Sequence, residues 1–146
     1  MRMERKKGAQ AIGRSRGGAT TKIHALVDAD GNPVRLVLSE GNEHDIKQAP
    51  GLLRSVRKAY VVADKAYDSD ELRKQLRTQR CRPVIHSRNG NRVKRRPNKV
   101  LYRTRHRVEN FFQRAKRYRR IGTRYEKLAN NYLAMVCFAA VLTWPR

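Results

Sequence analysis

Tyr102, Arg105, Glu109 and Lys116 follow one another at offsets of three, four and seven residues. On an α-helix advancing about 100° per residue they fall at about 0°, −60°, −20° and −40°. All four share a stripe roughly 60° wide, and the outer pair lie about 21 Å apart along the axis. One carboxylate flanked by two cations and a phenol on a single face suits a metal ion with a phosphodiester beside it. The carboxylate takes the hard cation, while Arg and Lys hold phosphate oxygens. The plainer reading is a solvated i,i+4 pair between Arg105 and Glu109, worth only about 0.2–0.5 kcal/mol.

The elements that would carry this stripe can be read along the chain. Residues 1–20 are basic and Gly-rich without an apolar period, so a loose tail is expected there. Ile23, Ala25 and Val27 alternate with His24 and Leu26 as in a strand; Asp30-Gly31-Asn32-Pro33 reads as a turn and Val34–Leu38 as the returning strand. Asp45 is placed to cap a helix running to about Val56. The short apolar run Tyr60–Ala63 reads as a buried strand delivering Asp64 at its C-terminal end, where ligands collect in open α/β sheets. Asp68 with Glu71 three residues on resembles a capping box for the next helix. Arg82–His86 reads as a further strand and residues 87–99 as a basic loop. A helix from about Val100 to Arg120 then carries the stripe, with Leu101, Val108, Phe111, Phe112, Ala115 and Tyr118 as its apolar face. The run Tyr132–Trp144 is too short to cross a membrane and reads as part of a last, buried helix from about Lys127 to Thr143.

Composition narrows the partners. The chain has 146 residues, enough for one domain, and 35 Lys and Arg against 12 Asp and Glu give a formal charge of +23. Such a surplus repels itself unless a polyanion screens it, which makes nucleic acid the leading partner class and the Lys94–Arg96 run a site of backbone contact. Hydrophobic residues make up 39% of the chain, too many for wholesale disorder. Cys81 and Cys137 fit no metal or redox spacing and are expected as reduced thiols. The N-terminus lacks the apolar core of a signal peptide, so a cytoplasmic location is expected, with no membrane partner. His24, His44, His86 and His106 show no ligand spacing and are expected in structural roles.

Tyr102-x2-Arg105-x3-Glu109-x6-Lys116 matches at all four positions the Y-x2-R-x3-E-x6-K motif of bacterial insertion-sequence DDE transposases, and the chain resembles that family elsewhere too. The segment Gly13–Asp28 is similar to the lead-in and second strand of these enzymes. Residues 63–69, Ala-Asp-Lys-Ala-Tyr-Asp-Ser, are similar to their A-D-K-G-Y-D-S block, with Ala66 where glycine is usual. Residues 119–125 are similar to their R-R-I-A-T-R-Y block, with Gly122 for alanine.

The resemblance implies an α/β domain over residues 21–146, with an RNase H-like mixed sheet flanked by helices. It implies metal-dependent DNA cleavage and strand transfer during transposition, by two Mg²⁺ ions (with Mn²⁺ as a substitute) that activate the attacking oxygen and stabilise the leaving one. Asp64 and Glu109 are implied as the second and third acidic metal ligands, and Tyr102, Arg105 and Lys116 as DNA contacts. The first acidic ligand of the family lies upstream of the block at Gly13, where this chain has 12 residues and no Asp. Asp28 and Asp30 come nearest, but turn formation is the ordinary work of Asp at a hairpin end. A partial catalytic domain is therefore expected, missing its first central strand and inactive alone. DNA (transposon ends and target) is the implied partner, together with a homodimer mate or an upstream-encoded transposase segment. The alternative is a non-catalytic DNA-binding fragment that modulates full-length transposase.

Overall fold

The computed structural model describes residues 8–90 and 93–144. The strands are β1 (Gly13–Ser15), β2 (Gly18–Val27), β3 (Pro33–Glu40), β4 (Tyr60–Ala63) and β5 (Arg82–Ile85). The helices are α1 (Ala49–Leu53), α2 (Asp70–Thr78), α3 (Lys99–Arg103), α4 (His106–Ala115), α5 (Arg119–Gly122) and α6 (Ala129–Leu142), with short 3-10 turns at Asp45–Gln48 and Lys65–Tyr67. The result is a mixed α/β fold.

The expected single mixed sheet is resolved into two. β1, β2 and β3 form an antiparallel sheet, and β4 and β5 form a separate parallel pair. The β2–β3 hairpin lies between two cores because its faces alternate. Ile23, Ala25 and Val27, with Leu36 and Leu38 across the ladder, pack on a core of Phe111, Ala115, Ile121, Tyr132, Val136 and Ala139 from the last three helices. Leu26, on the other face, packs against Leu53, Val61, Leu72, Leu76 and Ile85 around β4 and β5. The hairpin thus joins the half of the chain that carries Asp64 to the half that carries Glu109.

Several sequence expectations need correction. Of the loose tail expected over residues 1–20, residues 1–7 lie outside the described residues, and the rest is built into the fold. Gly18, at φ +96°, turns β1 onto β2. Gly41 abuts the same region so closely that an added Cβ would collide with Thr20. Arg124 donates to Gln10 O at 2.6 Å and stacks on the Tyr132 ring, which fastens this segment to the helical core. Asp45 caps no helix; it pairs with Lys22 at 2.7 Å, and only a 3-10 turn and the short α1 follow.

Ser69, not Asp68, caps α2, accepting from Leu72 N at 3.1 Å. Ala66, with its backbone in the 3-10 turn, is not among the residues with positive φ, so alanine replaces glycine there without strain. Last, α6 is buried on one side only: Phe138, Val141 and Leu142 are exposed, as is Trp144 just beyond its end. No helix among the described residues is long and apolar enough to cross a membrane.

The single helix expected over 100–120 is divided into α3, α4 and α5. Around Thr104 the backbone bonds tighten to three-residue spacing, from Thr104 N to Leu101 O, Arg105 N to Tyr102 O and Arg107 N to Thr104 O. Thr104 Oγ1 also donates to Leu101 O at 2.7 Å, a back-bond that bends helices. The second break follows Ala115, where Lys116, Arg117, Arg119 and Arg120 crowd like charges together. Tyr118 there is extended and 39% exposed, so it does not belong to the buried face.

Candidate functional site

β4 ends at Ala63, and Asp64 follows in extended conformation before the chain turns over Lys65–Tyr67. Tyr67 N donates to Asp64 O at 2.9 Å and closes that turn. Ala63 pairs with Ile85 on β5, so Asp64 and His86 are the next residues at the same strand ends. The Asp64 side chain is exposed and lines a groove of about 360 Å³ with Lys65, Ala66, Arg88 and Asn89.

This turn is tied down on two sides. Arg73 Nε donates to Asp68 Oδ1 at 2.8 Å, and Arg73 Nη2 donates to Ile85 O at 2.8 Å. Both side chains are buried, at 5% and 1% exposure. Burial alone would raise the Asp68 carboxyl, but the Arg88 N–H and the Arg73 guanidinium hold it below the usual carboxylate range. On the other side, His24 Nδ1 lies 3.1 Å from the Tyr67 hydroxyl and Nε2 lies 2.8 Å from Ser39 Oγ. Burial pushes the His24 imidazole below its ordinary 6.5, so the neutral ring accepts at one nitrogen and donates at the other. Burial, reinforced by the Asp45 and Asp64 carboxylates, pushes the Tyr67 phenol up to about 12. Tyr67 therefore stays protonated and joins the hairpin to the Asp64 turn.

On the opposite side, Asn98 caps α3 by accepting from Val100 N and Leu101 N. Tyr102 meets His86 edge to face, with ring centroids 4.3 Å apart. The Arg105 guanidinium lies 5.9 Å from the Tyr102 ring centroid and pairs with Glu109 at 2.8 Å. A continuous contact path thus runs from the strand end beside Asp64 through His86, Tyr102 and Arg105 to Glu109. Lys116 stands apart from it. As the residue ending α4 it lies about 10 Å beyond Glu109 along the axis. It lines a different cleft, of about 810 Å³, with Thr20, Arg124 and Tyr125.

Asp28 and Asp30 take no part in this arrangement. Asp28 Oδ1 accepts from Asp30 N and Asn32 N at 2.9 Å each, and Oδ2 accepts from Asn32 Nδ2 at 3.0 Å. Its slight burial would raise the carboxyl, but these donors hold it below the usual range. It is a turn former. Asp64 and Glu109 are hard oxygen donors of the kind Mg²⁺ takes, with waters and phosphate oxygens filling the remaining positions. Among the described residues no group of three or more His, Cys, Asp or Glu is placed to hold a metal ion.

A family model described as the transposase DDE domain matches residues 1–144. The chain belongs to the bacterial insertion-sequence DDE transposases. It is 36% identical over 141 residues to a Brucella ovis protein named as a transposase for insertion sequence element IS6501, a match covering 87% of this chain and 99% of that one. It is 33% identical over 97 residues to the transposase for element IS1106 of Neisseria meningitidis serogroup B, covering 62% of this chain and 34% of the relative. To a Burkholderia cepacia protein named as a transposase for element IS402 it is 32% identical over 92 residues, covering 55% and 43%. The chain thus spans nearly all of the first DDE transposase and less than half of the other two. No solved structure matches it.

His24 in this DDE transposase takes the structural role its lack of ligand spacing predicts, through partners Ser39 and Tyr67 that lie 15 and 43 residues away. Two other contributors are not legible as such in the sequence. Arg88 was one cation in a basic loop. The order Asp68, Ser69, Asp70 held the clue to the buried pair, because a serine suffices as cap and leaves Asp68 available for Arg73.

Proposed function

We propose that this transposase chain carries two of the acidic ligands, Asp64 and Glu109, of a metal-dependent DNA strand-cleavage and strand-transfer site, and that the domain is completed by a strand from elsewhere. The contact path from the β4–β5 end through His86, Tyr102 and Arg105 to Glu109 carries this reading. It leads to Glu109 from the strand end that Asp64 follows, across elements distant in sequence.

A bound Mg²⁺ or Mn²⁺ would polarise the scissile phosphodiester and activate the attacking oxygen. Asp64, on the anchored turn, and Glu109 would hold the ion. Arg105 would exchange its contact with Glu109 for a phosphate oxygen, and Tyr102, fixed against His86, would keep Arg105 at that position. Lys116 would grip DNA further along, from the second cleft. With such a charge, backbone contact dominates affinity and binding weakens steeply with salt.

The proposed missing strand has physical support. Parallel sheets are found almost only as larger sheets covered on both faces, and two strands alone are marginal. β4 and β5 form such an isolated pair. An RNase H-like sheet with one more strand alongside them would supply backbone partners and the further acidic ligand. A strand from an upstream-encoded transposase segment, or from a second copy of the protein, fills that role.

The competing reading is a non-catalytic DNA-binding chain that modulates full-length transposase; the short donor set among the described residues favours it. Transposition of an element encoding this chain separates the two. Asp64→Asn and Glu109→Gln should each lower its frequency by at least about 100-fold, since even the partners of metal ligands are worth 10- to 100-fold. Wild-type frequency in both variants would support the modulator.

A further inference from the structure

The Asp64 groove contains a second group of interest. Arg88 lies 24 residues after Asp64, in the basic loop after β5, and is held at two points. Its backbone N–H donates to Asp68 Oδ2 at 2.9 Å, and its Nη2 donates to Ala66 O at 2.9 Å. Asp68 is itself fixed by the buried Arg73, which also reaches Ile85 O at the end of β5. An exposed arginine normally sacrifices side-chain entropy when it binds. Here that loss has been taken during folding, and the guanidinium keeps further N–H donors beyond the one given to Ala66. Lys65 lines the same groove, so two cations stand beside the Asp64 carboxylate.

We propose that Arg88 contacts a DNA backbone phosphate in the Asp64 groove, held ready for it by Ala66 O and the Asp68–Arg73 pair. This rests on the reading of Asp64 as the carboxylate that faces the DNA. Arg88 then draws a phosphodiester toward a carboxylate that would otherwise repel it, and a divalent ion held by Asp64 would offset that repulsion.

The test measures binding of the full chain to a labelled duplex in EDTA across 50–200 mM salt. Arg88→Ala should weaken binding about 3- to 10-fold and reduce the salt slope by about 0.9, the value of one lost phosphate contact. Arg88→Lys should restore the slope but only part of the affinity. Lys74→Ala, an exposed cation on α2, should behave as wild type. Wild-type binding by Arg88→Ala, or an equal loss in Lys74→Ala, overturns the proposal. The same titration with Mg²⁺ and Asp64→Asn judges the underlying reading separately. If Mg²⁺ strengthens binding equally in wild type and Asp64→Asn, the metal role of Asp64 fails, while the Arg88 contact stands or falls on its own salt slope.

Discussion

Replacing Arg73 with methionine should destabilise the protein severely although it touches no proposed ligand. The substitution removes both hydrogen bonds of the guanidinium, to Asp68 Oδ1 and Ile85 O. It leaves a carboxylate whose side chain is 1% exposed without its buried cation. Breaking one member of such a pair costs about 3–5 kcal/mol, out of a total stability of roughly 5–15 kcal/mol. Unfolding entropy of about 2.1 cal/mol/K per residue gives about 0.3 kcal/mol per degree for a chain of this size, so Tm should fall by about 10–16 °C. Replacing both partners, as Asp68→Leu with Arg73→Met, should recover a good part of the loss, because the buried carboxylate is removed together with its cation. The depressed Asp68 pKa fixes the sign with pH. The stabilisation is complete above the unfolded carboxylate value of about 3.9 and is lost as pH falls through the lower folded value. Circular dichroism melts at neutral pH decide the matter. A fall of less than about 3 °C in Arg73→Met would refute the claim that this pair anchors the Asp64 turn.

Glu109→Gln should cost less than about 0.5 kcal/mol, since the Arg105 pair is exposed, and its melt should overlay wild type while transposition is lost. Asp28→Ala should lower Tm by about 3–4 °C, through loss of about 1 kcal/mol of turn hydrogen bonding, and leave Mg²⁺-dependent DNA binding intact. His24, with its folded pKa depressed, contributes stability that is complete above about 6.5 and lost as pH falls through the folded value. Melts between pH 6.5 and 5 should therefore decline in wild type and flatten in His24→Gln. On the proposal that a further strand completes the domain, the purified chain with Mg²⁺ should not nick duplex carrying the element's ends, and adding a polypeptide that supplies that strand should both restore nicking and raise Tm; robust nicking by the chain alone would contradict the proposal.

What the sequence revealed depended on how local the determining contacts were. The β2–β3 hairpin was legible because apolar residues alternate through Ile23, Ala25 and Val27 around an Asp-Gly-Asn-Pro turn. β4 was legible as a short apolar run, and Ala63 at its end puts Asp64 where the run implied; β5 matches the further strand expected over Arg82–His86 to within one residue. The long helix was misread because a fixed 100° projection takes no account of the Thr104 back-bond or of the like-charge run after Ala115. Arg105 nevertheless touches both Tyr102 and Glu109, while Lys116 lines another cleft. The glycines near the N-terminus suggest a loose tail because composition alone does not separate flexibility from close approach, as at Gly13 against Glu40 and Asn42. Of the groups that fix the Asp64 turn, the Asp68–Arg73 pair spans five residues, whereas the His24–Tyr67 contact spans 43 and could not be read locally.

Mn²⁺ is a heavy scatterer that can stand where Mg²⁺ would sit, and its anomalous signal locates it without reference to the protein. Crystals of the chain with the proposed completing strand and a DNA end, soaked in Mn²⁺, should show an anomalous peak at coordination distance from both Asp64 and Glu109. A peak bound to neither, or to one carboxylate with the other turned away into solvent, would contradict the shared ion on which this account of the transposase depends.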